Sequence, residues 1–179
     1  MRDWNVVATA HEDGYKEVRK LLAGFGPTGT TEFYNVLVMK VADRAALLEE
    51  LGEMVAESPG LMNDLSRVVP AEEAFTFQSV AEFEEAACAI ALRWAPRLAG
   101  QSFHVRLNRR GFKGRLSTQD EERFLDDVLL HRLSEQGTPG RIDFEDPDAV
   151  IDIETVGGRA GMSLWTREEL HRFPFLHVD

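Results

Sequence analysis

The stretch that most constrains this chain runs from Phe103 to Thr118. Phe103, Val105 and Leu107 alternate with His104, Arg106 and Asn108, the period of a strand with one buried face. After Asn108 the alternation stops. Arg109, Arg110, Lys113 and Arg115 crowd into a loop opened by Gly111 and Gly114. Thr118, with Glu121 three residues later, predicts a capping box at the start of a helix. A strand that passes through a short loop into a helix belongs to a mixed α/β architecture. Between Phe103 and Thr118 there are five Lys/Arg and no Asp or Glu, whereas the whole chain has 20 basic and 31 acidic residues and a net charge of −11. Overall composition does not produce such a basic loop.

At 179 residues the chain has room for one medium domain or two small ones. No apolar run approaches a membrane span, and Met1-Arg2-Asp3-Trp4 lacks the organisation of a signal peptide, so a cytoplasmic setting is expected. The single cysteine, Cys88, excludes an internal disulfide and reads as a buried thiol within a small apolar helical run. A pI near 4.9 argues against nucleic-acid binding over the whole surface. A confined site stays open, because an acidic body with one basic patch helps orient a polyanion.

The first part of the chain reads β-α-β-β-α-β. Strand patterns cover Trp4 to Ala10, Thr30 to Phe33 and Tyr34 to Val41, with a last strand at Leu65 to Val69 or Ala74 to Phe77. Helical spacing covers Asp13 to Ala23, then Asp43 to Glu57 with Asp43 as N-cap and Leu47, Leu48, Leu51, Met54 and Val55 on the apolar face. That order is the ferredoxin-like split unit. A boundary is expected at Gln78-Ser79, giving domains 1–78 and 79–179, with Ser79 and Glu82 as a second capping box. The next helix presents Phe83, Ala86, Ala87, Ile90, Ala91 and Trp94. From Thr118 a helix runs to about Gln136, with Phe124, Leu125, Val128, Leu129, Arg132 and Leu133 on one stripe. Strands at Ala149 to Val156 and Ala160 to Trp165, joined through Gly157-Gly158, complete the second sheet.

The basic loop has two readings. It is either a solvated loop whose arginines pair with surface carboxylates, or a grip on phosphates through planar guanidinium donors and glycine backbone. Phe112, between the two glycines, either stacks on an unpaired base or anchors the loop in the core. Asp120, Glu121 and Glu122 crowd the first turn of the following helix, complement its dipole and repel an anion there, so the side chains of the loop are the expected phosphate ligands. The run Asp143 to Asp148 fails as a calcium loop because Pro147 and Asp148 fall where a ligand and a glycine are needed, and it reads as a turn. Asp152 and Glu154 share one strand face and are expected to meet water or basic neighbours such as Arg106, with a metal as the alternative. His11, His104, His131, His171 and His177 lack metal spacing. The glycines 24, 26 and 29 follow a helix rather than a strand, so they make no dinucleotide loop. No catalytic residue, metal or cofactor is expected.

From Ser79 onward the chain resembles a THUMP domain. The resemblance rests on Phe103-His104-Val105-Arg106-Leu107-Asn108-Arg109-Arg110-Gly111, on the Ser117-Thr118 helix start, and on Ile142 to Glu154 with its Asp146-Pro147-Asp148 turn and Ile151-Asp152-Ile153-Glu154 strand. It implies an N-terminal ferredoxin-like domain before the THUMP α/β domain, in agreement with the order read above. It implies binding of tRNA at the acceptor stem and 3′ end, with Arg106, Arg109, Arg110, Lys113 and Arg115 as contacts, Phe112 beside them, and Arg159 and Arg167 as outlying candidates. No catalytic domain is expected within these 179 residues, so the resemblance implies the standalone members that present tRNA to a separate enzyme, such as the adaptor of the tRNA cytidine acetyltransferase. The alternative is a protein-interaction scaffold that no longer binds RNA.

Overall fold

The computed structural model describes residues 1–178, which form two compact units. The first contains residues 1–72 and 169–178. Its elements are β1 (Val6–Ala10), α1 (Tyr15–Leu22), β2 (Thr28–Thr30), β3 (Val36–Met39), α2 (Arg44–Glu57) and β4 (Leu65–Pro70). The sheet order is β2-β3-β1-β4 and every pairing is antiparallel, the ferredoxin-like arrangement. Asp43 caps α2 as expected, its side chain accepting from the Ala46 N–H at 3.0 Å. Leu47, Leu48, Leu51 and Val55 are buried, while Met54 stays at the rim.

The strand expected at Thr30 to Phe33 is displaced to Thr28–Thr30. Residues 31–35 form a loop, and the strand precedes them. The Thr31 hydroxyl accepts from the Phe33 N–H at 3.1 Å and donates to the Val36 carbonyl at 2.8 Å, closing a turn that Asn35 completes at φ 56°. Of the two candidates for the last strand, Leu65–Pro70 takes the place in this sheet.

The second unit spans Glu73–Glu168. It comprises β5 (Glu73–Thr76), α3 (Val80–Trp94), β6 (Ser102–Asn108), α4 (Thr118–Glu135), β7 (Arg141–Ile142), β8 (Ala149–Val156) and β9 (Arg159–Thr166). Its sheet runs β5-β9-β8-β6-β7, with β6 parallel to β7 and β8 and the remaining pairs antiparallel. Phe103, Val105, Leu107, Ile151 and Ile153 form one core with Phe83, Ala87 and Ile90 of α3 and Leu125, Leu129 and Leu133 of α4. The long helix turns differently from its expected stripe. Glu121 and Asp126 are buried, and Phe124 is 36% exposed.

The units divide at Glu72/Glu73, six residues before the expected boundary, because β5 pairs with β9. The segment after Glu168 groups with the first unit instead of the second. There α5 (Arg167–Arg172) leads to Phe173, Phe175 and Leu176, which are buried, and the Arg67 Nε donates to the His177 carbonyl at 2.9 Å. The strand candidate at Ala74 to Phe77 does form, as β5, but in the second sheet instead of the first, and the apolar tail is too short for a periodic signature.

Candidate nucleic-acid interface

The basic loop sits where β6 ends, and β6 is fixed along both edges. On one side it pairs with β8. On the other, β7 covers only Ser102 and Phe103, and carboxylates of α4 take over. Asp126 Oδ1 accepts from the Val105 N–H and Glu122 Oε1 from the Leu107 N–H, each at 2.9 Å. Four helix residues advance about 6 Å and two strand residues about 6.6 Å, so side chains four apart on α4 reach donors two apart on β6. Burial pushes the Asp126 carboxyl up to about 7, against the opposing pull of the Val105 N–H. His104, on the opposite face of β6, is held below the usual imidazole range, chiefly by burial.

Beyond Leu107 a second set of carboxylates takes hold. Asp152 and Glu154 lie opposite Arg106 and Asn108 in the parallel register. They are 0% and 2% exposed, so the expectation that they meet water is corrected. The Asn108 amide donates to Asp152 Oδ1 at 3.1 Å and to Glu154 Oε1 at 3.3 Å. Glu154 does find a cation, and it is Arg110, whose Nη1 donates to Glu154 Oε2 at 2.7 Å. Arg106 lies 3.9 Å from Glu122. The Arg110 backbone is fixed as well. Its N–H donates to Thr155 Oγ1 at 2.9 Å and its carbonyl accepts from the Gly157 N–H at 2.8 Å. Arg110 therefore staples the loop to the β8–β9 hairpin, and Asn108, Thr155 and Gly157 are loop-fixing residues that spacing alone did not single out.

The loop then turns sharply. Gly111, Phe112 and Gly114 have φ of 99°, 54° and 78°, and the first and last explain why glycine stands there. For Phe112 the same region is strained. Packing holds it. The ring lies 4.8 Å from that of Phe77, at the edge of the core, and the carbonyl accepts from the N–H groups of Arg115 and Leu116. The Arg115 guanidinium covers the Phe112 ring at 4.2 Å. Of the two readings of Phe112, the anchor describes its packing. Leu116 is buried behind it. Ser117, not Thr118, caps α4, accepting from the Asp120 N–H at 3.3 Å. Glu121 leaves the dipole-facing surface to hydrogen-bond Glu84, and burial together with that neighbour pushes it up to about 8.

The six residues expected at the site therefore divide. Arg110 is committed to Glu154, Arg106 stands by Glu122, and Phe112 is an anchor. Arg109, Lys113 and Arg115 have no carboxylate partner among the described residues, and Lys113 and Arg115 are exposed. The Arg109 guanidinium donates to the Gly111 carbonyl and so lies along the loop. Arg159 opens β9 at the same hairpin. Arg167 is remote in role: it clamps Asp146 and Asp148 at 2.9 and 3.2 Å. That clamp completes the acidic turn, in which Asp143 Oδ1 accepts from Glu145 and Asp146 N–H groups and Asp148 Oδ2 accepts from the Ser102 N–H. Those backbone donors hold both carboxyls below the usual range. Among the described residues no group of three or more His, Cys, Asp or Glu is placed to hold a metal ion, and no helix is long and apolar enough to cross a membrane.

No protein-family model matches this chain, and no curated protein sequence resembles it significantly. Solved structures do match it. PH1313 from Pyrococcus horikoshii Ot3 superimposes with a TM-score of 0.59 at 12% identity, over 90% of this chain and 54% of its own. A 4-thiouridine synthetase, solved as an RNA complex with bound ATP, gives 0.55 at 11% identity, over 92% and 42%. TrmN from Thermus thermophilus gives 0.52 at 20% identity, over 89% and 44%. This chain thus spans about half or less of the proteins it matches. At these identities the likeness is one of fold, and it supports the ferredoxin-like and THUMP-like arrangement described above.

Proposed function

We propose that this chain is an RNA-binding module that takes hold of tRNA at the acceptor stem and 3′ end and presents it to a separate modifying enzyme, in a cytoplasmic setting. The module itself binds and does not catalyse. The observation that carries this reading is the state of Arg109, Lys113 and Arg115. In a chain with 31 acidic residues, these three cations share one fixed loop and have no carboxylate partner among the described residues. Arginine and lysine so placed are phosphate ligands in waiting. The fold adds support, since one of the matching proteins was solved with RNA bound.

The test is a binding titration against tRNA over a range of salt. With about three phosphate contacts and about 0.7 counterions released per contact on a single strand, log K should fall against log[salt] with a slope of about −2. Binding that ignores salt would refute the reading. Stable association with a protein partner in the absence of RNA would favour the scaffold instead.

A further inference from the structure

The basic loop carries more than side chains. The peptide N–H groups of Gly111, Phe112, Lys113 and Gly114 have no acceptor among the described residues. They are consecutive, and the left-handed turns at Gly111, Phe112 and Gly114 twist the backbone tightly through them. A bulky residue such as Phe112 keeps that conformation only where its surroundings over-determine it. Here the Phe77 ring, the Arg115 guanidinium and two hydrogen bonds to its carbonyl do so. Backbone donors of this kind, gathered in one turn, favour an anion. The two exposed cations of the loop, Lys113 and Arg115, come from the same five residues. The Arg115 guanidinium, 4.2 Å over the Phe112 ring, pairs with no carboxylate among the described residues and carries five N–H donors.

Donors and positive charge are thus concentrated at one point on a protein whose net charge is −11. Such a body opposes a polyanion laid along its surface, because each further phosphodiester meets carboxylates. It tolerates an anion that brings its charge to a single point. A phosphodiester has one negative charge and two free oxygens. A terminal phosphomonoester carries about −1.5 to −2 and three oxygens, each a strong acceptor.

We propose that the 111–115 turn is a seat for the terminal phosphate at the 5′ end of an RNA strand, beside the unpaired 3′ end. This deepens the RNA-binding reading and rests on it. The internal phosphates contribute the salt-dependent background, and the 5′-phosphate supplies the end recognition.

The experiment compares one tRNA in two forms, 5′-phosphorylated and enzymatically dephosphorylated, with identical 3′ ends, against the full chain and its Lys113→Ala variant. Lys113 is exposed and its side chain makes no hydrogen bond or ion pair among the described residues, so the variant should fold as the parent does. The parent should bind the phosphorylated form about tenfold more tightly, and Lys113→Ala should erase most of that difference, losing more affinity for the phosphorylated form than for the 5′-hydroxyl form. Equal affinity of the parent for both forms would overturn the phosphate seat and leave the RNA-binding reading in place. Failure to bind either form would overturn both.

Discussion

Arg110 and Glu154 meet at 2.7 Å, with the carboxylate 2% exposed and the guanidinium 15% exposed. Removing the cation takes the Arg110 partner from a buried carboxylate that lies near Asp152, itself fully buried. Arg110→Ala should therefore destabilise the second unit by about 3 kcal/mol, the usual cost of breaking a buried pair from one side. Denaturant unfolding measures it. A change under 0.5 kcal/mol would show that the staple is not a structural one. The same geometry makes Arg110→Glu a poor probe of RNA binding, because that variant fails through the fold.

Lys113 and Arg115 behave in the opposite way. Both are exposed and without carboxylate partners among the described residues. Lys113→Glu with Arg115→Glu should leave stability within about 1 kcal/mol of the parent, the loss being the cation–π contact of Arg115. Their effect should fall on binding, flattening the salt slope by about 0.7 per lost contact. Unchanged affinity for tRNA in the double variant would remove the loop from the interface.

Phe112 separates packing from stacking. Its ring rests on Phe77 and under Arg115. Phe112→Ala should cost about 1–3 kcal/mol, at the lower end of a core truncation because the ring is only partly buried. It should weaken RNA binding through the loop. If stability holds and only binding falls, the ring acts on a base instead.

Asp126 makes stability depend on pH. Its folded-state carboxyl is raised from 3.8 to about 7, so the folded chain keeps a proton that the unfolded chain releases. That contribution is complete below about pH 4 and is lost as pH rises through about 7. Asp126→Asn preserves a carbonyl acceptor for the Val105 N–H and removes the titration. The variant should be more stable than the parent at pH 8, by about 1–2 kcal/mol, with a flatter melting profile between pH 4 and 7. Melting temperature against pH decides it, and parallel profiles would contradict the assignment. Glu121, raised to about 8 beside Glu84, adds a drift of the same sign that Asp126→Asn leaves in place.

Much of this was legible in one dimension. The alternation from Phe103 to Asn108 and the glycine-flanked loop predicted β6 and its exit, and Asp43 and Ser79 cap their helices as their spacing implied. What stayed hidden depends on register. That Glu154 faces Asn108 follows from the parallel pairing of β6 with β8, and no spacing between residues 46 apart encodes it. Ser117 and Thr118 are equivalent caps by composition. The structure makes Ser117 the cap, and Glu121 is buried. The two-residue β7 is too short for any pattern, so the role of Asp126 and Glu122 in closing the edge of β6 was invisible as well.

The most direct test of the central claim is the affinity of the intact protein for tRNA with a complete 3′ end and with that end trimmed, each at low and moderate salt. The account predicts tighter binding to the complete tRNA, weakening as salt rises. Equal and salt-independent binding to both, or binding to neither, would contradict it.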